Sequence, residues 1–191
     1  MLDKSYPKVW DDLVEKFSDR FYVINDMDKD LKKIQVSFQS SHPEYYVDCG
    51  ETTRTYRHEG DIETHVYNDA ESVSYRVADE KRQHPYLSSY KFIKRNTYLE
   101  GNSVVYIKIN DNNKTFISIN TIYKLYIEVT GQSYAKPSNG NPFMTEKLPA
   151  ITEVLLFETN SPTTHTFDDG EKITCSSKGK LEREILYFPK Y

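Results

Sequence analysis

Val104-Val105-Tyr106-Ile107-Lys108-Ile109 runs into Asn110-Asp111-Asn112-Asn113 and returns as Thr115 to Val129. The first run is β-branched and aromatic, the connector is strong turn chemistry, and the return alternates at period two. Ile117, Ile119, Thr121, Tyr123, Leu125, Ile127 and Val129 share one face of that return. Ser118, Asn120, Lys124 and Glu128 take the other. An antiparallel hairpin with one buried face follows. An extended segment from Thr115 to Val129 would span about 50 Å, far beyond a usual strand. A bend or bulge is therefore predicted near Asn120-Thr121, with the two halves serving different parts of a sheet.

Working outward, Ser5-Tyr6-Pro7 opens a helix, because Pro suits the first turn. Val9, Trp10, Leu13, Val14 and Phe17 recur at helical spacing, with Asp11, Asp12, Glu15 and Lys16 opposite. Such a stripe packs on a core. Phe21 to Ile24 and Lys33 to Phe38 flank a polar turn, the pattern of a β-hairpin. Asp26, Asp28 and Asp30 have calcium-loop spacing, but the Gly and the bidentate Glu of such a loop are missing, with Ser37 at the Glu position. A plain acidic turn is the better reading.

Gln39 to Pro43 reads as a loop, and Glu51 to Asp69 is polar, with short strands indicated around Thr53–Tyr56 and Thr64–Tyr67. Ser72 to Ala78 alternates as a strand. From Asp79 to Lys94 the chain crosses between sheet halves, and a short helix from Pro85 would align Tyr86, Leu87, Tyr90 and Ile93. Residues 131–149 are rich in Ser, Asn, Gly and Pro and predict a flexible loop. Strands are expected at Ile151 to Glu158, where a short helix is the alternative, at Thr163 to Phe167 and at Lys172 to Cys175. A short helix follows over Lys180 to Tyr187. The fold class is thus α+β in a single domain, residues 1–191: mainly antiparallel sheet, an N-terminal helix packed on it, and a short C-terminal helix.

Composition narrows the function classes. The chain has 191 residues, 37% hydrophobic, and its 16 Tyr and 9 Phe supply large amphipathic surfaces. Acidic and basic residues nearly cancel at a net charge of −4, which lacks the clustered basic footprint of a nucleic-acid binder. The longest apolar run, Val154 to Phe157, is far short of a membrane-spanning helix. No GxGxxG, GxxxxGK[ST], HExxH or GxSxG occurs, so phosphate cradles and nucleophile elbows lack their turn residues. No cofactor is expected. His42, His58, His65, His84 and His165 are scattered without sequence-local triad partners. The one local cluster of His and carboxylates surrounds His58, Glu63 and His65. On a strand, Glu63 and His65 would share a face and offer two metal ligands, with no third to name.

Cys49 and Cys175 are the only cysteines, and neither belongs to a CxxC pair. Two buried thiols, one disulfide, or one nucleophile remain open. The even count favours the disulfide and, with it, an oxidising compartment. The N-terminus has no basic region followed by an apolar one, so it does not read as a signal peptide.

Three segments carry a resemblance. Val9 to Phe17 runs into Phe21 to Lys29 and Ile34 to Phe38; Pro43-Glu44-Tyr45-Tyr46-Val47-Asp48-Cys49-Gly50 is the second; Cys175-Ser176-Ser177-Lys178-Gly179-Lys180-Leu181-Glu182 is the third. Together they resemble a family of small lipoproteins of the Gram-negative envelope, and the helix-then-hairpin opening is similar to the domains of BamC. The resemblance implies a signal and a lipid-bearing cysteine in the precursor, an outer-membrane anchor, a periplasmic body and a Cys49–Cys175 bridge. On it rests the leading expectation, a non-enzymatic interaction or assembly module that meets an envelope protein through a sheet edge or the 131–149 loop. The rivals are a periplasmic ligand- or metal-binding protein, marked by a deep aromatic-lined cavity; a hydrolase with a spatially assembled site; and a cytosolic or viral structural protein, in which both thiols would stay free.

Overall fold

A computed structural model describes residues 4–58, 61–79, 87–110, 114–137, 139–167 and 170–187. The chain begins with helix α1 (Tyr6–Ser18), strands β1 (Val23–Asp28) and β2 (Lys33–Ser40), a 3-10 turn (Pro43–Tyr45) and the short β3 (Val47–Asp48). Strands β4 (Glu51–His58), β5 (Asp61–Asn68), β6 (Val73–Ala78), β7 (Leu87–Ile109), β8 (Thr115–Pro137) and β9 (Phe143–Glu158) follow. The chain closes with β10 (Thr163–Thr166), β11 (Lys172–Ser177) and helix α2 (Lys180–Tyr187). The α+β class expected from the sequence is the class observed.

The main sheet has the order β1-β2-β7-β8-β9, with β6 also paired to β7; β10-β11-β3 and β4-β5 form two smaller sheets. Strands β7 and β8 set the frame. Their pairing is unbroken from Leu87↔Pro137 to Ile109↔Thr115. No bulge interrupts it at Asn120-Thr121; the register shifts lie between β8 and β9, at Val129/Gly131 and Ser133/Tyr134. The two halves of the ribbon do serve different neighbours. Strand β2 pairs with Leu99–Tyr106 of β7, and β6 with Tyr90–Arg95 on the same edge. In the gap between them the Thr97 amide donates to Ser72 Oγ at 2.8 Å, so the unpaired backbone group is still satisfied.

Two further expectations fail along this ribbon. Most of residues 131–149 is strand rather than loop, with Gly131↔Leu148 and Ala135↔Phe143 in register. The outward positions of a solvated strand tolerate the same polar residues that a loop prefers, so composition misleads there. The helix from Pro85 is also absent: Leu87 to Ile93 belongs to β7. His84, Pro85 and Tyr86 lie outside the described residues.

Inward positions of the near half make the core. Ile34, Val36 and Phe38 of β2, Leu99, Val105 and Ile107 of β7, and Tyr123, Leu125 and Ile127 of β8 are buried. Helix α1 lays Val9, Trp10, Leu13 and Phe17 onto them, and α2 adds Leu181 and Ile185. Each such side chain contributes roughly 1.5–3 kcal/mol of transfer free energy. Asp12, expected on the polar face of α1, is instead buried. Lys4 and Lys8 reach it at 3.0 and 2.8 Å. Burial alone would raise its pKa, but the hydrogen bonds from Lys8 and Lys4 outweigh that and hold it below the ordinary value. Buried Glu182 of α2 accepts from Tyr123 Oη at 2.8 Å and from Thr159 Oγ1 at 2.7 Å, which fixes the C-terminal helix to β8.

Candidate ligand cavity

The period-two order of β7 continues backward from Val105 and Leu99 to Thr97, Arg95 and Ile93, all on the inward face. In the far half of the sheet Arg95 and Ile93, with Val129 of β8 and Ile151 and Glu153 of β9, form a floor. Tyr75 and Val77 of β6 continue it. The β4–β5 hairpin supplies a roof through Arg54 and Tyr67, and Phe167, Glu171 and Ile173 close it from the β10–β11 side. They line a mainly apolar chamber of about 430 Å³ that stays half-open to solvent, Ile151 of its floor being 54% exposed, and whose size is within the range of small-molecule sites.

The roof is fastened at several points. Cys49, just before β4, forms a disulfide with Cys175 of β11, across a sequence separation of 126. The two roof pieces therefore share a covalent tie beside the chamber. The Arg54 guanidinium donates to the Glu171 carboxylate and joins them again. Tyr67 stacks on Tyr75 with centroids 5.6 Å apart, which seats the hairpin on β6. On the opposite side His165 of β10 reaches the Glu153 carboxylate of β9 at 3.2 Å and meets Phe167 edge-on.

Electrostatics inside the chamber are uneven. Arg95 is only 7% exposed. One of its terminal nitrogens donates to the Asp69 carbonyl oxygen, while its Nε has no hydrogen-bond partner among protein atoms. Arg54 Nε is also without one. Asp69 is buried, and desolvation pushes its carboxyl pKa up against the pull of a Thr52 hydrogen bond and the Arg95 charge. Burial pushes the Tyr75 phenol up to about 12. Such a chamber can hold an apolar molecule with one polar end.

The sequence-derived candidates fall into place unevenly. Cys49 and Cys175 are brought together. Glu63 and His65 do share a face of the hairpin, 3.8 Å apart at Oε2 and Nε2. Glu63, however, accepts from Arg76 Nε at 2.9 Å, which occupies the carboxylate that would have served a metal. The His58 side chain lies outside the described residues, and among the described residues no group of three or more His, Cys, Asp or Glu is placed to hold a metal ion. Asp26 and Asp28 belong to the end of β1 rather than to a turn: Asp26 pairs with Lys33 across the hairpin at 2.9 Å, and Asp28 accepts from the Leu31 amide at 2.8 Å. His42 sits at the surface against Glu44 and Tyr45. Arg54, Asp69, Arg95 and Phe167 were not singled out by the sequence. The available signal was Arg95, a charge at an inward position of a strand whose neighbours at two-residue steps are Ile93 and Thr97.

No family model, curated protein or solved structure matches this chain. What fold and site define is an antiparallel α+β protein with a roofed, aromatic-walled chamber on the half of its sheet that the helices leave free.

Proposed function

We propose that the protein is a non-enzymatic binding protein of the cell envelope, which holds a small, largely apolar ligand between the far half of its sheet and the disulfide-tied roof. The aromatic-lined chamber carries this reading; it is the feature that separates a ligand-binding protein from a pure interaction module. The envelope setting draws support from the disulfide, because such bonds persist in oxidising compartments. The resemblance of both Cys segments to Gram-negative envelope lipoproteins points the same way. On this reading the body is periplasmic and the precursor carries a lipid-bearing cysteine that anchors it to the outer membrane.

The test is fluorescence of Nile red, a neutral dye that brightens in apolar sites. Wild type should bind it, and Ile93→Trp, which fills the chamber floor, should weaken binding by about tenfold or more while the disulfide and circular dichroism stay unchanged. Equal binding by both proteins would place the dye elsewhere and sink the proposal.

A second reading is favoured by β9. It is the last strand of the main sheet, and its Phe143, Met144, Ile151 and Leu156 are 49–55% exposed. An unpaired strand edge accepts a partner strand from an envelope protein. Photo-crosslinkers placed at Met144 and Leu156 should then capture one protein reproducibly in intact envelopes; capture of none would remove this reading.

A further inference from the structure

The charged groups of the chamber wall answer one another, and that pairing narrows the ligand. The Arg54 guanidinium donates to the Glu171 carboxylate and to Tyr67. Glu153 lies 3.2 Å from His165. Arg95 donates to the Asp69 carbonyl, and its charge acts on the Asp69 carboxyl, which also takes a hydrogen bond from Thr52. The Nε atoms of both arginines are buried and present no surface to the chamber. Each cation and each carboxylate of the wall thus already has a polar partner in the protein.

A charged head that entered would leave water without finding a free counter-charge, which costs far more than burying a hydroxyl. An anion would meet the carboxyl groups of Asp69, Glu153 and Glu171, and a cation would meet Arg54 and Arg95. The rest of the wall is aliphatic and aromatic, with Val77, Ile93, Val129 and Ile173 beside Tyr75 and Phe167. Its phenols are neutral: burial pushes the Tyr75 pKa up to about 12, so this group keeps its proton at neutral pH. A protonated phenol both donates and accepts, and so suits an uncharged polar group.

We infer that the ligand is an uncharged lipid, an aliphatic or alicyclic body carrying at most a neutral polar group such as a hydroxyl, and that the Arg54–Glu171 pair keeps charged amphiphiles out. This rests on the cavity reading above and adds the class of molecule. The same pair also ties the roof, so ratios of affinities are compared rather than single affinities.

Calorimetric titration of the full, oxidised protein near neutral pH compares three probes that share one body: 1-decanol, decanoate and decylammonium. Wild type should bind 1-decanol at least about tenfold more tightly than either charged probe. Glu171→Gln leaves the Arg54 charge without its carboxylate and should raise the decanoate-to-decanol affinity ratio by about tenfold. Arg54→Gln leaves Glu171 without its cation and should raise the decylammonium-to-decanol ratio instead. These opposite shifts separate selection by the pair from the greater apolarity of the alcohol and from a loosened roof, which would move all three probes together. A charged probe that binds wild type as tightly as 1-decanol would overturn the uncharged-lipid inference and leave the cavity reading standing. A wild-type preference that stays unchanged in the variants would overturn the role of the pair; each variant is read on its own, so one that fails to fold leaves the other to decide. Binding of no probe would overturn both readings.

Discussion

At position 101 the chain lacks a side chain because Phe38 occupies its space. A Cβ built on Gly101 would lie 1.9 Å from Phe38 Cε1. The ring cannot give way, since it is 2% exposed and packed among Tyr22, Tyr46 and Tyr123. Gly101→Ala should therefore cost about 2–3 kcal/mol in urea unfolding, and Phe38→Leu in the same chain should recover part of that loss. A loss no smaller in the double variant than the sum of the two single ones would show that the clash is not the cause. Gly101 was invisible as a packing residue in the sequence, because a lone glycine in a strand pattern looks like a break. Asp12 shows the same limit from the other side. Helical spacing placed it opposite the core, yet Lys4, which precedes the helix, folds back to pair with it in a buried position. Period alone could not include a partner from outside the period. Arg95 was legible in principle, since extending the alternation of Val105 and Ile107 backward puts it on the inward face.

Among the elements, those with strong periodicity were readable. Helix α1, strand β2, the β7–β8 pairing and helix α2 lie where apolar spacing puts them, whereas β1 runs on to Asp28 through residues that read as a turn. The β4–β5 hairpin was glimpsed only as two short polar strands. It stands outside the main sheet and packs through Arg54, Tyr56, Tyr67 and Glu63, so it carries no aliphatic alternation to read. That hairpin is the roof, and the Cys49–Cys175 bond ties its base to β11. On the chain-entropy model, closing a loop of this length stabilises the fold by about 4–5 kcal/mol. Cys49→Ala together with Cys175→Ala should lower the free energy of urea unfolding by that order and weaken Nile red binding, because the roof loses its covalent tie. A double variant with unchanged stability and unchanged dye affinity would mean that the Arg54–Glu171 pair and the tyrosine stack hold the roof unaided.

At the scale of the whole molecule, the sheet is longer than its helices can cover. Helices α1 and α2 pack on the near half, and the far half is left to the hairpin and to β10–β11. Tyrosine-rich, charge-laced segments do not fill that second space as aliphatic helices fill the first, and the remainder is the chamber. The class of fold followed from alternation, but the chamber did not, because it arises where segments distant in sequence fail to meet fully. The measurement that bears most directly on this arrangement is amide hydrogen exchange of the oxidised protein with and without saturating 1-decanol. Added protection is expected in β4, β5 and β6, around Arg95 and Val129, and in β10–β11, with α1, β2 and α2 unchanged. Protection confined to α1 or to the outward face of the sheet, or none at all, would contradict a ligand chamber beneath the disulfide-tied roof.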